Sequence, residues 1–275
     1  MKRLAVIAMA VVMLVCALAL PASALTANGY LGDAKVPLYK GAITVDGKVD
    51  EAYKLGLKLD FNKSHNDKFK TETTAVAYLL HDAKYLYVVF DVKSAYPLTE
   101  YNPKYDGENS WNTTCLEITF DWNNDGAAGY KYYGRIDNKI IGVKDSKAEF
   151  VTYASKVNGQ NYVLEMKFEM QEGATTGKEV GLGTFLNSDK TMGKDKTATR
   201  SIAAVVEAYS TNDAKLFKNI VLDSKEVKLA AATTAATTKA PAAKPTAPAT
   251  FDAGIVLAVV AAAAGAGVVV SKKRK

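Results

Sequence analysis

The stretch CLEITFDWNNDGAAGYKYYGRID, from Cys115 to Asp137, decides how this chain folds. In its first part Leu116, Ile118 and Phe120 alternate with Glu117, Thr119 and Asp121, the period of a strand with one apolar and one polar face. Further on, Tyr130, Tyr132 and Ile136 share one face, while Lys131, Tyr133, Arg135 and Asp137 share the other. Asn124-Asp125-Gly126 between them is a strong turn signal, so the two runs read as a hairpin. Pairing Phe120 with Tyr132 turns the apolar residues of both strands toward a core. It also sets Glu117 opposite Arg135 on the exposed face, near Tyr133 and Trp111. A fork of donors beside an acceptor carboxylate suits vicinal hydroxyls, which both donate and accept. A cross-strand ion pair beside an ordinary buried Trp reads the same residues equally well.

The connection itself has the form D-x-N-x-D-G, the opening half of a calcium loop. A calcium-binding EF-hand closes with a bidentate Glu at its last position, which here is Tyr132, and its flanks are helices. Two readings stay open: a plain hairpin turn, and a weak calcium site on Asp121, Asn123 and Asp125.

Outward from this hairpin the pattern repeats. AVAYLL and KYLYVVFDVK flank His81-Asp82-Ala83, and NYVLEMKFEM, EVGLGTFLN, RSIAAVVEAY and FKNIVLD follow. All are rich in Val, Ile, Tyr and Phe, and Gly/Asn/Asp clusters separate them. No helical stripe of useful length interrupts them. The expected fold is all-β, an antiparallel, jelly-roll-like β-sandwich over residues 25–228. The loop AYPLTEYNPKYDGENSW places Tyr96, Tyr101 and Tyr105 ahead of Trp111. Tyr offers a flat apolar face and a polar tip, fit either for a binding surface or for covering the end of the sandwich.

The two ends of the chain are of another kind. Lys2 and Arg3 precede an apolar run from Leu4 to Leu20, and Ala22-Ser23-Ala24 follows, so residues 1–24 read as a secretory signal peptide that contains Cys16. Residues 229–250 are mostly Ala, Thr and Pro, with Leu229 the one large apolar side chain, an extended linker with a reach of at most ~60 Å. Residues 251–275 join an uncharged apolar run, Ala253 to Val270, to the basic tail Lys272-Lys273-Arg274-Lys275. This reads as a C-terminal transmembrane helix with a cytoplasmic tail, hence an exported protein displayed at the cell surface. Ala247-Pro248-Ala249-Thr250-Phe251 keeps part of a sortase signal, which makes attachment to a cell wall a further option.

The net charge of +6 belongs to those ends: Lys2, Arg3 and the four basic residues of the tail account for it, leaving 29 basic residues against 29 acidic ones. That balance removes the electrostatic argument for a nucleic-acid partner. Beyond the signal only Cys115 is left, so no intrachain disulfide supports the fold. No nucleophile elbow, metalloprotease helix or phosphate-binding glycine loop is present, and the chain is read as non-catalytic.

Several segments, in order, resemble family 9 carbohydrate-binding modules: ITVDGKVDEAYK, LLHDAKYLYVVFDV, WNTTCLEITFDWNND, NGQNYVLEMKF, VGLGTFLNSD and FKNIVL. The resemblance implies a β-sandwich that binds sugars between two tryptophans, often beside a degradative glycoside hydrolase, with structural calcium. Residue by residue, Trp111 matches the first stacking Trp, and Glu117 and Arg135 match polar ligand contacts. Asp137 stands where an Asn is usual, and Tyr105 and Tyr133 flank the set. The second stacking Trp has no counterpart, Tyr209 being the nearest aromatic, and Phe185 stands where a Gln is expected. The implied partner is a plant polysaccharide or oligosaccharide. Two alternatives stay open. One is a structural or adhesive surface protein with a degenerate sugar site. The other is a related haem-binding electron-transfer sandwich, with axial ligands drawn from His65, His81, Met166, Met170 and Met192.

Overall fold

The structure is a computed structural model. It describes residues 30–64, 71–96, 98, 107–127, 129–144, 146–189, 200–205 and 210–230. The signal peptide, Tyr101, Tyr105, His65, Met192, Tyr209, most of the linker and the apolar C-terminal segment lie outside the described residues. The chain divides into two units, residues 1–231 and 232–275, and everything described belongs to the first. No helix among the described residues is long and apolar enough to cross a membrane.

Among the described residues thirteen strands form the fold: β1 (Tyr30–Tyr39), β2 (Leu57–Phe61), β3 (Lys63–Ser64), β4 (Thr74–His81), β5 (Tyr85–Lys93), β6 (Cys115–Asp121), β7 (Tyr130–Arg135), β8 (Ile140–Val143), β9 (Val151–Asn158), β10 (Asn161–Glu169), β11 (Glu179–Asp189), β12 (Arg200–Ala204) and β13 (Lys218–Val227). The pairing path runs β8-β7-β6-β11-β13-β1-β4-β5-β10-β9, with β2, β3 and β12 attached beside it. The two halves of the path face each other. Phe120 of β6 meets Phe168 of β10 edge to face at 4.8 Å, and Tyr132 of β7 meets the same ring at 5.5 Å. The core between them holds Leu116, Ile118, Leu182 and Leu186 from one side and Val88, Phe90, Leu164 and Met166 from the other.

The expected sheet was purely antiparallel; the structure is mixed. β1 runs parallel to both its neighbours, β13 and β4. Its sequence hides it. Gly32, Asp33 and Pro37 lie within the strand, Ala34 has a left-handed backbone (φ 64°), and two register shifts break the period of two.

Segment Ile43–Leu55 lies over the outer face of β4, β5 and β10. Tyr53 and Ala52 pack there with Tyr39, Leu80, Tyr87 and Val89. Glu165 of β10, fully buried, fastens this segment. It accepts the N–H groups of Asp46 and Gly47, both at 2.8 Å, and the hydroxyl of Tyr53 at 3.0 Å. Two of the segments that carried the family resemblance therefore meet in one hydrogen-bonded latch.

The strands have two distinct ends. Thr74 pairs with Lys93, Cys115 with Arg135 and with Asn187 at one end. His81 pairs with Leu86 and Leu38, Asp121 with Gly181, and Tyr39 with Val227 toward the other.

Candidate functional site

β6 and β7 keep the expected faces but pair two residues away from the expected register. Phe120 lies opposite Tyr130, Glu117 opposite Tyr133, and Cys115 opposite Arg135. The cause is the turn. The N–H of Gly129 bonds to Phe120 O at 3.2 Å, which carries the ladder on through Tyr130. Because the slip is an even number, the same side chains stay on the same face.

On the outer face, Glu117 is almost fully buried and saturated. Its Oε1 accepts from Asn187 Nδ2 at 2.6 Å, and its Oε2 accepts from Thr211 Oγ1 at 3.0 Å and from Lys131 Nζ at 2.9 Å. Lys131 reaches on to Asn212 Oδ1 at 2.7 Å and stands 5.2 Å from the centre of the Tyr133 ring. Tyr133, itself buried, packs with Cys115 and Val143. Lys131, Asn187, Thr211 and Asn212 were not singled out in the sequence. Lys131 had a signal, since it shares the parity of Tyr133 and Arg135. Thr211 and Asn212 had none, arriving from a loop far along the chain.

Arg135 is not beside Glu117 in the ladder. Its guanidinium is 1 % exposed and grips Asp137 with two bonds, Nε to Oδ1 at 2.9 Å and Nη2 to Oδ2 at 2.6 Å. Its main-chain carbonyl accepts from Tyr153 Oη at 2.6 Å, which ties the end of β7 to β9. Asp137 thus holds the arginine rather than standing as an isolated acceptor. Trp111 lies on a short 3-10 turn, Gly107–Asn112, just before β6, and remains 38 % exposed. The other tryptophan, Trp122, is buried and stacks on Phe120 at 4.3 Å. Of the tyrosine loop, Tyr96 is described and buried; Tyr105 lies outside the described residues.

The metal expectation centred on Asp121, Asn123 and Asp125. Both carboxylate oxygens of Asp121 accept main-chain N–H groups, from Asp125 at 3.1 Å and Gly126 at 2.8 Å. Asp125 accepts from Ala127 N at 2.8 Å and Asn123 Nδ2 at 3.1 Å. These bonds close the turn with the protein's own donors, and burial pushes the Asp121 carboxyl above its ordinary value. Among the described residues no group of three or more His, Cys, Asp or Glu side chains is arranged to hold a metal ion.

The haem alternative loses its described ligands to structural roles. His81 is buried with Nδ1 2.9 Å from Asp82 O and Nε2 2.8 Å from Asp223 O. Met166 is a core residue and Met170 packs against the same core.

The model of the carbohydrate family 9 binding domain-like family matches residues 45–225, and the chain belongs to that family. Its fold is similar to a family 9 carbohydrate-binding module from Caldicellulosiruptor kristjanssonii, solved with cellotriose. The TM-score is 0.54 at 17% identity, covering 70% of this chain and 94% of that one. The module from the same organism solved with glucose matches equally, at TM-score 0.54 and 17% identity, over 71% and 98% of the two chains. No curated protein matches the chain.

Proposed function

We propose that this protein is a non-catalytic carbohydrate-binding protein whose site lies on the outer face of β6, β7 and β11, with Trp111 at its edge. The observation that carries the reading is Trp111: a large aromatic left 38 % exposed beside a sheet face whose polar side chains are already held in place. An exposed ring supplies the stacking surface for a pyranose. Lys131 and Asn212, held in place with Glu117 behind them, offer an ammonium and an amide without further ordering cost. The ligands of the similar modules, cellotriose and glucose, make a β-glucan oligosaccharide or chain end the first candidate.

The proposal extends to export by residues 1–24 and display at the cell surface through residues 251–275, alongside secreted glycoside hydrolases, all of which rest on the sequence. Calcium enters the proposal only as a structural ion of the domain. As a structural ion it would exchange the N–H donors on Asp121 and Asp125 for itself, so a melting temperature equal in millimolar calcium and in chelator removes it.

The test is a glycan array followed by calorimetry on the mature protein and on Trp111→Ala. The variant keeps its melting transition and loses about 2 kcal/mol of binding, as truncating a central aromatic anchor does. Undiminished binding by a folded variant moves the site elsewhere. A structural or adhesive role has one observation in its favour: the hydrogen-bonding capacity of Glu117 and Arg135 is taken up within the protein. No binding to any glycan would establish that reading.

A further inference from the structure

A cleft of about 550 Å³ lies on the other half of the sandwich, over the outer face of β5, β10 and β9. Its volume falls within the ~300–1,000 Å³ of small-ligand sites. Asp91 of β5, Val163 of β10 and Lys156 of β9 stand in one row across it, because Val163 pairs with both of the others. Asn158 and Asn161, which flank the β9–β10 turn, line it too, as do Gly47 and Val49 of the segment that Glu165 latches. We infer that this cleft is a second carbohydrate site, taking an uncharged oligosaccharide segment, separate from the site at Trp111. The inference rests on the sugar-binding reading above and adds an independent site to it.

One wall of the cleft is built before any ligand arrives. Glu165, fully buried, accepts the N–H groups of Asp46 and Gly47. Gly47 has a left-handed backbone (φ 76°) and lies so close to β9 that a Cβ there would stand 3.0 Å from Lys156 Cβ. No loop on that side has to be ordered when a ligand binds. The lining then selects the ligand. Asp91 and Lys156 are two strands apart, about 10 Å between backbones at ~4.8 Å per strand, which leaves room for a ligand between them. Both are exposed. Among the described residues neither makes an ion pair or a side-chain hydrogen bond, and the same holds for the side chains of Asn158 and Asn161. Lys48, at the rim, is engaged by Asp46 and takes no part. An acceptor carboxylate, a donor ammonium and two amides that do both suit the hydroxyls of a sugar. An anion would meet Asp91 and a cation Lys156, so the balance of charge favours a neutral ligand. Its C–H face has Val163 and Val49, both half-buried, to rest on. Tyr162, the one aromatic residue of the lining, is 1 % exposed and belongs to the core. Without a stacking ring this is the weaker of the two sites.

The test is an NMR titration of the isotope-labelled mature protein with cellotriose. It follows the side-chain amides of Asn158 and Asn161 and the indole N–H of Trp111. Two separate isotherms are expected, that of the asparagine amides weaker by about tenfold or more for want of an aromatic anchor. Asp91→Ala combined with Lys156→Ala, at exposed positions and checked by the melting curve, weakens the asparagine isotherm by about tenfold or more, as the loss of hydrogen bonds to charged groups does. It leaves the Trp111 isotherm as it was, and Trp111→Ala does the reverse. Asparagine amides that stay put while the indole shifts overturn the second site and leave the sugar-binding reading intact. So does an asparagine isotherm that vanishes with Trp111→Ala or survives the double variant. If amides and indole all stay put, the second site and the sugar-binding reading fall together.

Discussion

Glu165 shows how one side chain decides a local structure. Buried, it is held by two N–H groups and a tyrosine hydroxyl. Each buried donor left unsatisfied costs about 1–3 kcal/mol. Glu165→Ala strands three of them and is expected to cost at least ~3 kcal/mol in urea unfolding. Glu165→Gln costs much less, because its amide oxygen takes the two N–H groups and its amine donates to Tyr53.

The same residue sets a pH dependence. Burial is the main cause that raises the Glu165 carboxyl above its ordinary 4.5, and it likewise raises Asp121 above 3.8. A carboxyl whose folded value is raised binds its proton more tightly in the folded state. Its contribution is present near and below the unfolded value and is lost as pH rises through the folded one. The urea midpoint is therefore expected to rise as pH falls from 7 toward 4.5, and Glu165→Gln to flatten the slope. A midpoint that falls over that range in the native protein contradicts the assignment.

At this scale the sequence was informative about faces and silent about partners. Strand parity put Glu117, Lys131, Tyr133 and Arg135 on one surface, where they are. It could not show that Arg135 would turn to Asp137, two residues away, because that depends on how the β7–β8 turn bends.

Among the elements, β11 carries the clearest case of a residue chosen by a neighbour. EVGLGTFLN reads as a strand, and its glycines look like weak points in it. Gly183 faces the segment that ends in Phe217. A Cβ there would stand 2.7 Å from Phe217 Cε1 and closer still to Ser210 O. The bare backbone lets residues 210–217 lie on the sheet, which brings Thr211 to Glu117. Gly183→Ala is expected to cost about 1–3 kcal/mol by overpacking. It should also weaken sugar binding beyond that loss, since it lifts Thr211 and Asn212 from the site. Unchanged stability and affinity would mean that the segment adjusts freely. The eight strand runs picked out by period two are all present, although the second of the hairpin, YKYYGRIDNKIIGV, is split between β7 and β8. β1, β2, β3 and β9 were not picked out. β9 (VTYASKVN) has only intermediate apolar content, and β3 is two residues long.

For the whole domain, the placement of β1 matters most. The first described strand lies between the last, β13, and β4, so both ends of the described domain enter one sheet. These pairings close nearly the whole chain length, and such non-local contacts slow folding to the range of milliseconds to seconds. Deleting residues 30–39 exposes one edge of β13 and one of β4 and opens the core at Leu31 and Val36, both fully buried. The truncated domain is expected to lose its cooperative unfolding transition. A truncated protein that melts as the native one does would show β1 to be an addition to the fold rather than a part of it. No local pattern predicted this strand, because its strand character comes from the neighbours on either side.

The direction in which the strands run has a practical corollary. Trp111 and Arg135 sit where β6 begins, while β13 carries the chain out of the domain past Val227, toward the other end of the strands. Along the ladders the separation is on the order of 40 Å at ~3.3 Å per residue. A fluorophore or an immobilising tag joined after Lys228 is therefore remote from the ligand face. The domain can be fixed to a sensor by that end without shielding the surface being measured.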